Sequence, residues 1–269
     1  MLKIRDGRLS PAAMNALAEY QRDVDAQNTY RERVSRAKTR FTRYNRKTNP
    51  TFAAVRAKLA EMCGRTSRCM YCEDSFADEV EHFRPKDLYP EVVFAWRNYL
   101  YACGPCNGSK SNRFSVVAPG TGELVDVTRR RRARVTPPRE GAAVLIDPRH
   151  ENPLDFIILD LRDTFEFTPL ADSGTVEFRR ADYTIDLLRL NDRNFLTEAR
   201  RNARGFYEAL LDRYVTLTRD GASHRQVARV KGCIQGSPHP TVWAEMKRQH
   251  RHHDRLATLF HAAPEALDF

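Results

Sequence analysis

The chain has 269 residues, 41% of them hydrophobic, and carries 45 Lys and Arg against 35 Asp and Glu for a formal net charge of +10. That length supports one large domain or two small ones with a sizeable core, and the absence of any apolar run of bilayer length excludes a membrane-spanning protein. The basic balance favours polyanionic partners, nucleic acid first, but by itself names none. Met1-Leu2-Lys3-Ile4-Arg5-Asp6 has no apolar signal core, so a soluble, cytoplasmic protein is expected. In that compartment six cysteines suit metal ligation better than disulfides. Cys63 and Cys233 stand alone and are expected as buried thiols.

Residues 1–50 read as an N-terminal helical segment. Ser10-Pro11 is an N-cap followed by proline at the first helical position, and Met14, Leu17, Gln21 and Val24 follow at helical spacing. Residues 28–47 are rich in Arg and Lys, with Tyr30, Phe41 and Tyr44 among them. They read either as a solvated helix face or as a phosphate-contacting surface with aromatics able to stack on bases. An amphipathic helix is expected from Thr51 to Cys63, with Phe52, Val55, Leu59 and Met62 on one face and Gly64 ending it.

Residues 51–120 hold the chemistry. Cys69-Met70-Tyr71-Cys72 and Cys103-Gly104-Pro105-Cys106 bracket Glu81-His82 and Asn98, and Asn107 follows the last cysteine. Two Cys-x-x-Cys turns complete one tetrahedral zinc site with no position left for water, hence a structural ion. Val80 to Pro85 reads as a short strand ended by proline. In a strand Glu81 and His82 point to opposite faces, so a twist or bend is needed to aim both at one substrate. A carboxylate and an amide oxygen, Glu81 and Asn107, suit Mg²⁺ or Mn²⁺. A histidine with an ordinary pKa near 6.5 can take a proton from water. Arg84, Lys86, Lys110 and Arg113 are candidates for holding flanking phosphates.

Residues 121–269 form a mixed region, strands then helices. Residues 115–142, with Pro119-Gly120, Thr121-Gly122, Arg129 to Arg132 and Pro137-Pro138, read as a linker or irregular loop. The arginine run fits a nucleic-acid patch or a plain charged loop. Strands are expected at Val144-Leu145-Ile146, across Leu154 to Leu161, and in a hairpin from Phe165 and Phe167 through Asp172-Ser173-Gly174 to Val176-Glu177-Phe178. Helix is expected from about Tyr183, with Asp182 as its cap. One long helix is marked by Phe195, Ala199, Ala203, Phe206, Leu210, Tyr214 and Leu217, and another runs from Pro240 into the 250s with Trp243, Met246 and Leu256. Trp96 and Trp243 are expected in the core. The histidines from His250 to His253 fan out around a helix axis and read as a solvated or phosphate-facing surface. No Walker-type glycine loop is present, so ATP binding by this chain is not expected.

The constellation Cys69-x-x-Cys72, Glu81-His82, Asn98 and Cys103-x-x-Cys106-Asn107-x-x-Lys110 resembles the HNH, or ββα-metal, nucleases. The resemblance implies that Glu81 and Asn107 bind the catalytic metal, that His82 is the general base, and that Asn98 orients it. Glu replaces the commoner Asp and Asn the final His, so metal preference departs from the usual pattern. Glu81-His82-Phe83-Arg84-Pro85-Lys86, Tyr89-Pro90, Trp96-x-Asn98, Ile146-Asp147-Pro148-Arg149-x-x-Asn152-Pro153 and Thr184-Ile185-x-x-Leu188-x-Leu190-Asn191 are similar to the PtuB-type HNH nucleases of Septu and retron-linked antiphage systems. That resemblance implies DNA as the default substrate, RNA being possible by the motif, and an ABC/SMC-like ATPase of the PtuA type as partner. The expected fold is therefore α+β: a zinc-stapled ββα-metal module between N-terminal helices and a C-terminal mixed α/β region. The expected function is metal-dependent endonucleolytic cleavage in antiphage defence. A non-catalytic zinc-stabilised nucleic-acid-binding module and a stand-alone restriction-type nuclease are the alternatives.

Overall fold

A computed structural model describes residues 1–64 and 67–269. Three helices come first. α1 (Pro11–Asp25) starts where the Ser10 hydroxyl accepts the Ala13 amide, satisfying one of the donors a helix start leaves free. α2 (Tyr30–Tyr44) opens on a reciprocal Thr29–Glu32 capping box, and α3 (Pro50–Met62) is capped by Asn49. Their buried faces, Leu17 and Val24, Ala37 and Phe41, Phe52 and Leu59, meet in one core.

β1 (Glu79–His82) pairs antiparallel with β2 (Tyr99–Ala102), Glu81 opposite Leu100 and His82 opposite Tyr99. α4 (Gly104–Lys110) follows directly, with Cys103 at its cap. A two-stranded ribbon is marginal alone. Here α3 packs against β2, and the Met70 amide donates to the Tyr101 carbonyl at 3.0 Å, tying the first cysteine turn to the ribbon.

Residues 115–142 depart from the expected linker. β3 (Ser115–Val117) pairs antiparallel with both β4 (Leu124–Asp126) and β5 (Ala142–Ala143). Gly120 and Gly122 turn the chain at positive φ, and Gly141 lies so close to β3 that an added Cβ would sit 2.4 Å from the Val117 carbonyl oxygen. The short apolar segment Val144-Leu145-Ile146 is buried but forms no strand. β6 (Ile157–Leu159) and β7 (Phe167–Pro169) make a second small ribbon. Phe165 lies outside it, buried with φ of 57°.

Val176-Glu177-Phe178 is the first turn of α5 (Val176–Leu187), capped by Thr175, and not a strand; Asp182 accordingly lies inside the helix rather than at its cap. α6 (Asn194–Arg219) buries Leu196, Arg200, Ala203, Tyr207, Leu211, Tyr214 and Leu217. The expected apolar stripe is therefore rotated, and Phe195 and Phe206 remain 50% and 53% exposed. α7 (His224–Gly236) was not anticipated, and the last expected helix is two, α8 (Pro240–Gln249) and α9 (Asp254–Ala262), separated by a tight 3-10 turn at His250–His252. Cys63 is only half-buried and Cys233 is exposed, correcting the expectation for both. The fold is mixed α+β, and no helix among the described residues is long and apolar enough to cross a membrane.

Candidate active site

The Cys69–Cys72 turn precedes β1, and Cys103 and Cys106 sit at the cap and first turn of α4. Their four sulfurs lie within 4.8 Å of one another, all buried, with Cys72 and Cys103 3.8 Å apart. A tetrahedral zinc with Zn–S bonds of about 2.3 Å requires sulfurs about 3.8 Å apart, so the donor set fits that ion. The Arg193 guanidinium donates to the Cys106 sulfur at 3.3 Å, as suits a cluster of thiolates carrying excess negative charge. No other group of three or more His, Cys, Asp or Glu among the described residues is arranged to hold a metal, the histidines of 250–253 included.

Beside this cluster lies a cavity of about 250 Å³ whose lining includes Glu79, Glu81, His82, Lys86 and Asn107. Alternation along β1 puts the side chains of Glu79 and Glu81 on one face. Glu81 is 2% exposed; its Oε1 meets the Lys110 ammonium at 2.6 Å and its Oε2 accepts from the Tyr71 hydroxyl at 2.9 Å. Asn107 makes no hydrogen bond to Glu81: its amide donates to the Glu79 carboxylate. The oxygen donors bordering the cavity thus include Glu79, Glu81 and the Asn107 amide, with Asp78 also in the lining, a hard set of the kind that takes Mg²⁺ or Mn²⁺. Glu79 was missed in the sequence reading. The signal for it was the Glu79-x-Glu81 alternation, two carboxylates on one strand face.

His82 lines the same cavity while packing edge-on against Phe41, ring centroids 4.3 Å apart, and near Tyr99 at 5.3 Å. Its Nε2 is 2.9 Å from the Val93 carbonyl oxygen. A carbonyl only accepts, so Nε2 carries the proton and Nδ1 keeps the lone pair. Burial, then the positive charge of Lys86, pushes the imidazole pKa down to about 3, in place of the ordinary value expected. The ring is therefore neutral across physiological pH.

Asn98 makes no hydrogen bond to the ring. Its Oδ1 accepts from the Arg84 amide at 2.8 Å, and its Nδ2 donates to the carbonyls of Arg84 at 3.1 Å and Val92 at 3.0 Å. These bonds close the 83–98 connection between the two strands. They hold the segment whose next carbonyl, Val93, receives both His82 and the Tyr99 hydroxyl.

The four basic residues separate. Lys86 borders the cavity, its ammonium 5.5 Å from the Phe41 ring centroid. Lys110 departs from a phosphate-holding role: it is wholly buried, paired with Glu81, and donates to the His82 carbonyl at 2.8 Å. Arg84 lies over the Tyr89 and Phe114 rings at 4.9 and 5.6 Å and faces a different cavity. Arg113 is turned to the carbonyls of Ser109 and Leu187.

No family model matches the chain. Over 74 residues it is 43% identical to the Septu protein PtuB of Bacillus thuringiensis, a stretch covering 26% of this chain and 29% of that protein. The chain is thus similar to that relative over less than a third of the relative's length.

Proposed function

We propose that the protein is a metal-dependent HNH-type endonuclease that hydrolyses nucleic-acid phosphodiesters, DNA by default, as the cytoplasmic effector of an antiphage defence system. The observation that carries this reading is the one cavity whose lining brings the His82 imidazole, with its free Nδ1, together with the Glu79 and Glu81 carboxylates and the Asn107 amide, next to the four-cysteine cluster. The likeness to a Septu protein supports the defence role. By the same resemblance, an ABC/SMC-like ATPase of the PtuA type is the expected controlling partner.

In this reading Nδ1 of His82 takes a proton from water as the water oxygen bonds to phosphorus and the bond to the leaving oxygen breaks. Glu81 and Asn107, joined by Glu79, would hold a divalent ion, which supplies charge stabilisation for the phosphate and leaving oxygen. Asn98 acts as a positioning residue through the Val92–Val93 segment. Lys86 is placed to meet a phosphate at the cavity.

The test compares wild type with His82→Ala on supercoiled plasmid in Mg²⁺ or Mn²⁺, with and without any ATPase that the neighbouring genes encode. General-base loss should cost about 10²- to 10⁴-fold; equal cleavage by both proteins rejects the role of His82. Tight, salt-sensitive binding without cleavage under any metal, and indifferent to Glu81→Ala, would instead favour a non-catalytic binding module. Absence of an ATPase gene alongside would favour the stand-alone nuclease.

A further inference from the structure

Two basic segments left over from the site meet in the fold. The arginine run is not a free loop. Arg129 donates to the Tyr30 hydroxyl at 3.0 Å and the Thr136 carbonyl at 3.1 Å, and also reaches the Asp87 carbonyl. Tyr30, the first residue of α2, donates in turn to the Leu88 carbonyl at 2.9 Å. The run is thereby fastened to the start of α2 and to the segment that follows His82. Arg132 and Arg134 face Arg31 across a cleft of about 510 Å³. Arg132 holds a left-handed conformation, φ 71°, at the turn closed by the Ala133 amide on the Arg130 carbonyl. Such strain in an exposed, non-glycine residue is characteristic of binding segments.

From that cleft α2 leads to the cavity. Arg31, Ser35, Lys38 and Thr42 are exposed and fall within one narrow stripe at helical spacing. The far end of the helix delivers Phe41 and Asn45 to the cavity wall beside His82. The stripe holds only cations and hydroxyls, the side chains that contact phosphates. Acids on the path are already engaged: Glu32 in the Thr29 capping box, and Asp87 by Lys38 at 3.1 Å and Asn112 at 2.9 Å. Arg31, Arg130, Arg131, Arg132 and Arg134 are exposed and enter no ion pair among the described residues. On α2 itself Lys38 is held by Asp87, and Arg36 and Arg40 on the other side by Asp23, so Arg31 is the stripe's free cation among the described residues.

We propose that the exposed stripe of α2 and the 130–134 arginine turn form one phosphate track that binds the backbone of a nucleic-acid duplex and leads it to the His82 cavity. The 15-residue helix spans about 22 Å, the axial rise of about six phosphates of one strand. Because the contacts are to the backbone, the track carries affinity and register but no base preference. This inference rests on the nuclease reading for its substrate class, and the experiment separates the two.

Affinity for a 20-base-pair duplex, DNA in one arm and RNA in the other, is measured by fluorescence anisotropy against salt with no divalent metal added. Hydrolysis of bis(p-nitrophenyl) phosphate with Mn²⁺, a small diester that needs no track, is measured in parallel. The variant Arg31→Ser/Arg131→Ser/Arg132→Ser/Arg134→Ser should lose at least about tenfold in duplex affinity. Its salt slope should fall by about 0.9 for each phosphate contact removed, while small-diester turnover stays at the wild-type level. Arg213→Ser/Arg225→Ser/Arg229→Ser/Arg251→Ser removes the same four charges from exposed positions outside the track and should leave affinity and slope unchanged, which rules out a mere net-charge effect. The track is overturned if wild type binds neither duplex, or if the two variants weaken binding equally. Duplex binding lost in the first variant alone, with no diester hydrolysis by any form, sustains the track and sinks the nuclease reading.

Discussion

Lys110→Met tests the most tightly built contact of the site. Methionine keeps most of the apolar stem and deletes the ammonium that meets Glu81 at 2.6 Å and the His82 carbonyl at 2.8 Å. Both partners of the ion pair are essentially without solvent, 0% and 2% exposed, so water cannot replace the lost cation. Removing one partner of a buried pair costs about 3–5 kcal/mol, because the remaining charge is stranded. The Tyr71 hydroxyl still donates to Glu81, which places the cost towards the lower end. For a protein of this size that corresponds to a fall in Tm of about 6–20 °C. Thermal unfolding of zinc-loaded protein, followed by circular dichroism, reads it. The double variant Lys110→Met/Glu81→Gln should recover part of the loss, since no isolated charge remains. Mn²⁺ should raise the Tm of Lys110→Met more than that of wild type, a dication taking the place of the ammonium beside Glu81. A Tm within about 2 °C of wild type, or a double variant no better than the single, would refute the stranded-charge argument.

Three further outcomes are expected. Asn98→Ala removes three hydrogen bonds of 2.8, 3.1 and 3.0 Å, at about 1 kcal/mol each; kcat should fall more than KM changes, and an unchanged kcat would deny Asn98 its positioning role. Buried His82 is neutral when folded and gains a proton on unfolding below its ordinary pKa of about 6.5. Its contribution to stability is therefore complete above pH 6.5 and is lost as pH falls towards 3. His82→Phe should flatten about 2 kcal/mol of the decline between pH 6.5 and 5 in urea titrations, and parallel pH curves for the two proteins would contradict the assignment. Cys106→Ser should lower the metal content from one zinc per chain, measured by mass spectrometry, and unfold the ββα unit, since zinc binding of about 10–16 kcal/mol in small domains rivals the whole stability of a fold.

Where chemistry forces a pattern, the sequence was readable. Ser10-Pro11 begins a helix because it supplies the oxygen acceptor and the pre-set φ that a helix start needs. The four cysteines converge because only one arrangement of two Cys-x-x-Cys turns serves one tetrahedral ion. The misreadings arose where one local signal serves two structures. Asp172-Ser173-Gly174 suits a hairpin turn, but Thr175 after it caps a helix, and burial of Ala181 and Ile185 on one face completes it. The phase of α6 was hidden by Arg200, a residue sequence reasoning leaves in water. It is buried because its guanidinium donates to the carbonyls of Phe165 at 2.9 Å and Leu190 at 2.7 Å and lies 4.3 Å from the Phe167 ring centroid. At the site, His82, Glu81 and Asn107 border one cavity, whereas the Lys110–Glu81 pair and the Glu79–Asn107 contact depend on strand register and helix placement that no short motif encodes.

The C-terminal helices reach back to the cysteine cluster at two points. Arg193, at the head of α6, touches the Cys106 sulfur, and the Thr241 hydroxyl and amide at the head of α8 donate at 2.7 and 3.1 Å to Glu73, the neighbour of Cys72. Each knuckle of the clasp is thus braced by chain more than eighty residues downstream. The ββα unit is consequently not a cassette that could be lifted onto another scaffold unaltered. Whatever bends or grips the C-terminal helices pulls on the same anchors that hold the wall of the His82 cavity in place.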